Sequence, residues 1–418
     1  MQCIVRPLNE ILKYFNNKER NYLIFFQILN AGLSIVFGKI VALYITPEAF
    51  GTFNIQNALY FFVFSLLFQP FLQYIKSNFF HLKTVYAFRH LFRFYLMFLA
   101  VSIILLFLVF RLYLHEHYWI ILFVIMTLIL NSVFMLVNDY FSITAAFGKI
   151  SMLNLFKNAL PILFLLVFVF VIGFLPSEGH VMLWWAQIVG FLGGLYFVGK
   201  WYRAGLRGSP AISTKDISAQ ILSFTWPLMI LSFWNWLNSY ADRFIIEKFL
   251  GLEAVGIYNA NVGLGSKVFL MVSPLFITLL TPAVFNPDIA LADRKRLINR
   301  YLKVYILLII GSGITVYLFH ELIGQVFLSP SYRAGFFLIY WSSIAYGIIT
   351  AGYLLEMLFY AEGKTRIILY ANIISAIAVV VLNIIFLPKY GLPVSAYALM
   401  TASVIKFIYL RFIFSLAS

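Results

Sequence analysis

The chain has 418 residues, 63% of them hydrophobic and 11% charged, with a mean hydropathy of +0.94, which excludes a soluble globular protein and makes lipid the solvent. One cysteine, Cys3, excludes an internal disulfide and any cysteine-based metal cluster. The net charge of +15 comes from basic residues scattered between apolar runs, which points to membrane topology and away from a nucleic-acid partner.

In chain order, the first 20 residues carry Arg6, Lys13, Lys18 and Arg20 without a compact apolar core and cleavage site, so they read as a cytosolic amphipathic lead-in and not as a signal peptide. About 20 apolar residues are needed to cross the hydrocarbon core. Runs of that kind predict helices over 22–45, 53–75, 94–112, 119–141, 150–173 and 182–200, then over 221–245, 256–280, 303–320, 334–358, 367–387 and 393–415. The expected fold is therefore an all-α membrane protein of about 12 transmembrane helices. Its expected division is a six-helix lobe over 1–200, a cytosolic linker over 201–219 and a second lobe over 220–418.

An even number of spans puts both termini on one side, and the distribution of Lys and Arg selects the cytosol. In that orientation 21 of the 30 basic residues lie inside, whereas Arg111, Lys248, Arg333 and Lys389 lie outside and Lys39, Lys157, Arg243, Lys267 and Lys406 fall within helices.

The two halves echo each other. At a shift of 205 residues, 23–64 aligns on 228–269 without gaps and with eleven identities in 42 positions. The most specific matches are polar or glycine: Glu48/Glu253, Ala49/Ala254, Gly51/Gly256 and Asn54/Asn259, in what reads as a loop. Ala146-x-Gly148-Lys149 and Ala361-x-Gly363-Lys364 form a second echo at a slightly larger shift. Six spans per half make the copies parallel, so the expectation is two similar lobes with a cleft that opens to either side, as in transporters.

Polar residues recur at helical spacing in the matched helices: Gln27, Asn30, Ser34 and Gly38 in the first, Asn235, Asn238, Ser239 and Asp242 in the seventh. These faces either line a cleft or join helices to one another. Charge in hydrocarbon is costly and marks function. Lys267 and Lys406 lie deep in their helices, while Lys39, Lys157 and Arg243 lie nearer the ends, where a long side chain can reach the interface. The acids that oppose them are chiefly Asp139, Asp242 and Glu356, so the interior is net positive and suited to a phosphate or diphosphate. The three acids are the candidates for ion coupling, with pairing to a nearby cation as the alternative. His115-Glu116-His117 does not by itself make a metal site, and no cofactor or metal is expected.

Three stretches carry a family resemblance: Asn235-Trp236-Leu237-Asn238-Ser239-Tyr240-Ala241-Asp242-Arg243, then Gly251-Leu252-Glu253-Ala254-Val255-Gly256-Ile257-Tyr258-Asn259-Ala260, and Leu387-Pro388-Lys389-Tyr390-Gly391-Leu392. With them the chain resembles the polysaccharide-export branch of the multidrug/oligosaccharidyl-lipid/polysaccharide exporter superfamily, in particular Wzx-type O-antigen flippases. The resemblance implies a V-shaped exporter fold in a bacterial inner membrane. It also implies outward flipping of an undecaprenyl-diphosphate-linked oligosaccharide, with a polymerase and a chain-length regulator as partners beside the membrane lipids. Cations of the central cavity would hold the substrate, and Lys267, Lys406, Arg243, Lys39 and Lys157 are the candidates, with Asn30, Ser34, Asn235, Asn238 and Ser239 beside them. Small-molecule export within the same superfamily is the runner-up, and a membrane polymerase or acyltransferase of the same pathway, which would be expected to present catalytic groups on a long loop, is the enzymatic alternative.

Overall fold

A computed structural model describes residues 18–78, 88–144, 146–173, 178–199, 214–286 and 288–416. The expected amphipathic lead-in lies outside these residues up to position 17, as does the expected linker up to position 213.

The described residues form helices and no strand. In chain order these are α1 (Lys18–Tyr44), α2 (Pro47–Ser77), α3 (Leu91–Tyr113, preceded by a turn of helix from Phe88), α4 (Tyr118–Ile143), α5 (Phe147–Val167, prolonged to Ile172) and α6 (Gly179–Gly199). The second half holds α7 (214–250), α8 (252–284), α9 (Leu291–Phe327), α10 (Phe336–Ala361), α11 (Thr365–Tyr390) and α12 (Pro393–Leu416). Ten helical stretches are long and apolar enough to cross a membrane, and one of them, Ser218–Thr281, is the continuous run that α7 and α8 share. The chain is a multi-pass membrane protein.

Helix boundaries differ from the expected ones where charge sits inside a helix. Glu48-Ala49-x-Gly51 and its repeat Glu253-Ala254-x-Gly256 are not loops but the opening turns of α2 and α8. Thr46 caps α2 through Oγ1, which accepts the Ala49 N–H at 3.3 Å, and Pro47 occupies the first helical position, where no donor is needed. Between α7 and α8 no ten-residue loop exists. One residue, Gly251 at φ 85° and ψ 174°, turns the chain between the helices. That backbone angle suits glycine and strains any residue with a Cβ. The ninth helix starts at Leu291, twelve residues before the apolar run, because its basic opening is amphipathic and buries Ile298, Tyr301 and Leu302.

By contacts the chain forms two compact units, one of Met1–Thr52 with Leu237–Ser418 and one of Phe53–Trp236.

In the first unit, α8 to α12 enclose a core of Phe269, Phe276, Leu280, Tyr305, Leu354 and Leu358 with their neighbours. The end of α1 is strapped to the 3-10 turn Pro330–Gly335: buried Tyr332 donates its hydroxyl to the Ile45 carbonyl at 3.1 Å, and Asn261 on α8 donates to the Tyr332 carbonyl at 3.2 Å. The repeat motifs meet here. A Cβ on Gly51 would strike the Leu252 carbonyl, and a Cβ on Gly256 would strike the Pro47 carbonyl. Each copy thus supplies the bare backbone that the other copy's opening turn packs against.

In the second unit, α5 and α6 approach closely because Gly190, Gly193 and Gly194 of α6 face Pro161, Leu160 and the Leu153 carbonyl. Several of its polar side chains are joined across helices: Trp184 Nε1 donates to Gln56 Oε1 at 2.7 Å, Gln56 Nε2 to Glu116 Oε1 at 2.7 Å, and Asn131 to the Tyr60 hydroxyl at 2.7 Å. Pro70 follows a wide π-turn at Phe64–Phe68, which absorbs the disturbance a proline makes in a helix.

Candidate functional site

The first unit's polar residues are organised by the α7–α8 turn. Residues on either side of Gly251 face each other: Arg243 and Asn259, each eight residues from it, meet, and Asp242, nine residues before it, meets Tyr258, seven after it. The Tyr258 hydroxyl donates to Asp242 Oδ2 at 2.5 Å, and Asp242 Oδ1 accepts the main-chain N–H of Arg243 at 2.8 Å. Arg243 Nε donates to Asn259 Oδ1 at 2.5 Å and Nη1 to the Ser239 carbonyl at 2.9 Å, while its guanidinium lies 4.3 Å from the centre of the Tyr240 ring. Asp242 is buried and Arg243 half-buried, so the carboxylate is enclosed and the guanidinium retains an open edge.

Two turns farther along α8, at the four-residue spacing of Asn259 and Gly263, half-buried Lys267 crosses to α1. Its ammonium donates to the Ser34 carbonyl at 2.8 Å and the Ser34 hydroxyl at 2.7 Å. One turn along α1, Lys39 donates to the Leu328 carbonyl at 2.7 Å, just before the 3-10 turn. Neither Lys267 nor Lys39 takes part in the ion pairs found among the described residues. Both are held by neutral oxygen atoms, which fix the side chain without cancelling its charge.

Lys406 is different. It is 5% exposed and its ammonium lies 2.9 Å from Glu356 Oε1, itself on a residue 6% exposed, while its hydrogen bond goes to Asn372 Oδ1 at 2.7 Å. The ring of Tyr353 lies 5.7 Å away. One turn from Asn372, Ser375 donates to Asn238 Oδ1 at 3.0 Å, which joins α11 to α7. The deepest cation thus has its own anion, and two acids proposed for coupling are both occupied: Glu356 by Lys406, Asp242 by Tyr258 and a backbone amide.

Of the other sequence candidates in this unit, Asn30 is half-buried on α1, and Ser239 is exposed and offers its carbonyl to Arg243. Three belong to the second unit. Lys157 lies over the rings of Phe134 and Phe191, at 4.9 and 5.1 Å from their centres. Asp139 pairs with Lys76 at 3.1 Å, and Asn235 is exposed on α7. His115 and His117 flank a glutamate that accepts from Gln56, and no group of three metal-ligating side chains occurs among the described residues.

The partners were the part the sequence concealed. Tyr258, Asn372 and Ser375 carry no charge and stand in apolar runs. The available signal was spacing: Arg243 and Asn259 lie symmetrically about Gly251 with Asp242 and Tyr258 next to them, and Asn372 and Ser375 share a helix face.

A family model of polysaccharide biosynthesis proteins matches residues 18–286, which include α1 to α8 and the Arg243 and Lys267 positions. The chain belongs to the polysaccharide biosynthesis protein family. The fold of this chain is met again in solved structures of low sequence identity. An inward-facing multidrug-resistance MATE family transporter of the MOP superfamily matches at 12% identity, covering 94% of this chain and 98% of its own, with a TM-score of 0.68. The lipid II flippase MurJ in an inward closed conformation matches at 15% identity, covering 95% and 87%, also with a TM-score of 0.68. The Vibrio cholerae MATE transporter VcmN, as a point mutant, matches at 12% identity over 100% and 98%, with a TM-score of 0.65. Comparison with curated proteins returns no match. At these identities the likeness establishes the exporter fold for this polysaccharide biosynthesis family member.

Proposed function

We propose that this polysaccharide biosynthesis protein is a flippase of the Wzx type, moving an undecaprenyl-diphosphate-linked oligosaccharide such as an O-antigen repeat unit from the cytosolic to the periplasmic leaflet of a bacterial inner membrane. The observation that carries the reading is the state of its cations. Lys267 and Lys39 are held by neutral acceptors and keep their charge for an incoming anion. Arg243 is held on Nε and Nη1 and, among the described residues, leaves Nη2 for a phosphate oxygen. Lys406 is left out of this set because Glu356 neutralises it.

In this proposal the chain works as two parallel six-helix lobes, 1–200 and 220–418, joined by 201–219, in alternating access. The diphosphate and glycan follow the polar residues while the polyprenyl tail stays in lipid. With the cell interior negative, each uncompensated negative charge moved outward gains roughly 2.3 kcal/mol per 100 mV, so the membrane potential favours export without a coupling ion. The engaged state of Asp242 and Glu356 agrees with that.

The test is complementation of cells that lack their own O-antigen flippase, with glycan and polymerase matched and membrane levels equalised. Wild type is expected to restore surface polysaccharide, and Lys267→Ala and Arg243→Ala to lose it. Normal polysaccharide from both variants would remove the cations from the function. A wild type that fails while exporting cationic drugs from the same cells would turn the reading to small-molecule export.

A further inference from the structure

The basic opening of α9 is left unexplained by transport through the bilayer. It extends the helix beyond its apolar run and carries Arg294, Lys295, Arg296, Arg300 and Lys303 within ten residues. Two other elements of the same unit converge on it. Arg294 pairs with Glu362 at 2.9 Å, which brings the α10–α11 turn with exposed Lys364 and Arg366 against the helix. Arg411, near the end of α12, donates to Asn299 Oδ1 at 2.7 Å, and Lys295 lies 5.4 Å from the ring centre of Phe414. Eight cations from three elements face three carboxylates, Asp288, Asp293 and Glu362, which leaves +5 at one end of the unit. Scattered basic residues would satisfy membrane orientation; a joined cluster concentrates the field.

An apolar furrow adjoins this charge. Phe407, Ile408 and Phe412 on α12 line an open groove of ≈ 360 Å³, with Arg411 and Ser415 at its rim. Ile408 and Phe412 are each 60% exposed, as a surface that meets acyl chains would be. A cationic rim above an apolar wall matches a lipid with an anionic headgroup: Arg forks a phosphate, Lys adds point charge, and the chain lies along the furrow.

We propose that this end of the unit is a binding site for anionic phospholipid, a phosphatidylglycerol-like headgroup held by Arg411, Lys303 and Arg366 with one acyl chain against Phe407, Ile408 and Phe412. The site is separate from the Lys267 and Arg243 cations and does not depend on what they carry. It anchors α9, the α10–α11 turn and α12 to the leaflet through which they emerge.

The experiment uses the full chain in nanodiscs of phosphatidylcholine doped with phosphatidylglycerol, with retained lipids counted by native mass spectrometry. Wild type is expected to retain phosphatidylglycerol in preference to phosphatidylcholine. Each basic residue near an anionic surface strengthens binding about fivefold, so the Lys303→Gln/Arg366→Gln/Arg411→Gln variant should lose about a hundredfold of the preference at low salt, and less at high salt. A control, Lys248→Gln/Arg333→Gln/Lys389→Gln, removes the same charge at positions expected on the opposite side and should keep the preference. Equal retention of the two lipids by wild type overturns the proposal. So does an equal loss in both variants, which would reduce the effect to net charge. In a parallel set of nanodiscs doped with undecaprenyl diphosphate, retention of that lipid where phosphatidylglycerol is not retained would also overturn it, by assigning the surface to the transported lipid. Circular dichroism of both variants shows that each is folded before the lipids are counted.

Discussion

Lys406 and Glu356 allow a decisive separation of scaffold from substrate contact. The two side chains are 5% and 6% exposed, 2.9 Å apart, and rely on each other and on Asn372 for neutralisation. Removing one partner leaves a charge enclosed among helices, a loss of about 3–5 kcal/mol, whereas replacing both with apolar groups of similar volume is often neutral or stabilising by about 1–4 kcal/mol. Lys406→Met and Glu356→Leu should therefore each lower the thermal midpoint of the purified protein in detergent, followed by tryptophan fluorescence, and the double variant should recover most of the loss. The coupling obtained from the four proteins should be several kcal/mol, far above that of an exposed pair. Surface polysaccharide in complemented cells provides the second readout. A stable double variant that restores export places Lys406 in the scaffold. A stable double variant that fails to export would place the ammonium on the translocated molecule and refute the assignment. Single variants as stable as wild type would show that the pair is not formed.

The remaining predictions concern the first unit. Lys267→Gln removes charge while keeping a donor for Ser34, so it should leave the thermal midpoint within a few degrees of wild type and reduce export at least tenfold; export at wild-type level would make Lys267 a tether only. Arg243→Lys keeps the charge but loses the fork that spans Asn259 and the Ser239 carbonyl, and complementation should fall between wild type and Arg243→Ala. Gly256→Ala forces a methyl into the Pro47 carbonyl and should destabilise by about 1–3 kcal/mol in a denaturant titration; an unchanged midpoint would contradict the close approach. Tyr258→Phe withdraws one of the two donors of Asp242, a loss of about 1.5–3 kcal/mol for a hydrogen bond to a charged group, and should lower the melting temperature measurably.

Much of this architecture is legible in the sequence because lipid imposes a crude rule: about 20 apolar residues per crossing, with cations left on one side. The rule fails where helix and hydrocarbon part company. Glu247, Lys248 and Glu253 look like loop residues, yet they stand in α7 and α8, since a helix outside the apolar layer tolerates charge and a single glycine suffices for the turn. For the same reason α9 begins well before its apolar run. The cations of the site were visible as charges in apolar context, but their fates were not. Lys267 and Lys406 look alike in sequence; one reaches the neutral oxygens of Ser34, the other an acid fifty residues away on a different helix. Only helix packing decides which of the two is neutralised.

The reciprocal approach of Gly51 and Gly256 bears on how the two halves of this gene can change. After a duplication the copies are free to drift wherever each folds around its own neighbours. At this crossing they are not, because the space needed by one copy's backbone is granted by the absence of a side chain in the other. A substitution at either glycine is felt by the opposite copy. A hybrid that takes one half from a relative with a bulkier residue here would inherit a clash that neither parent carries.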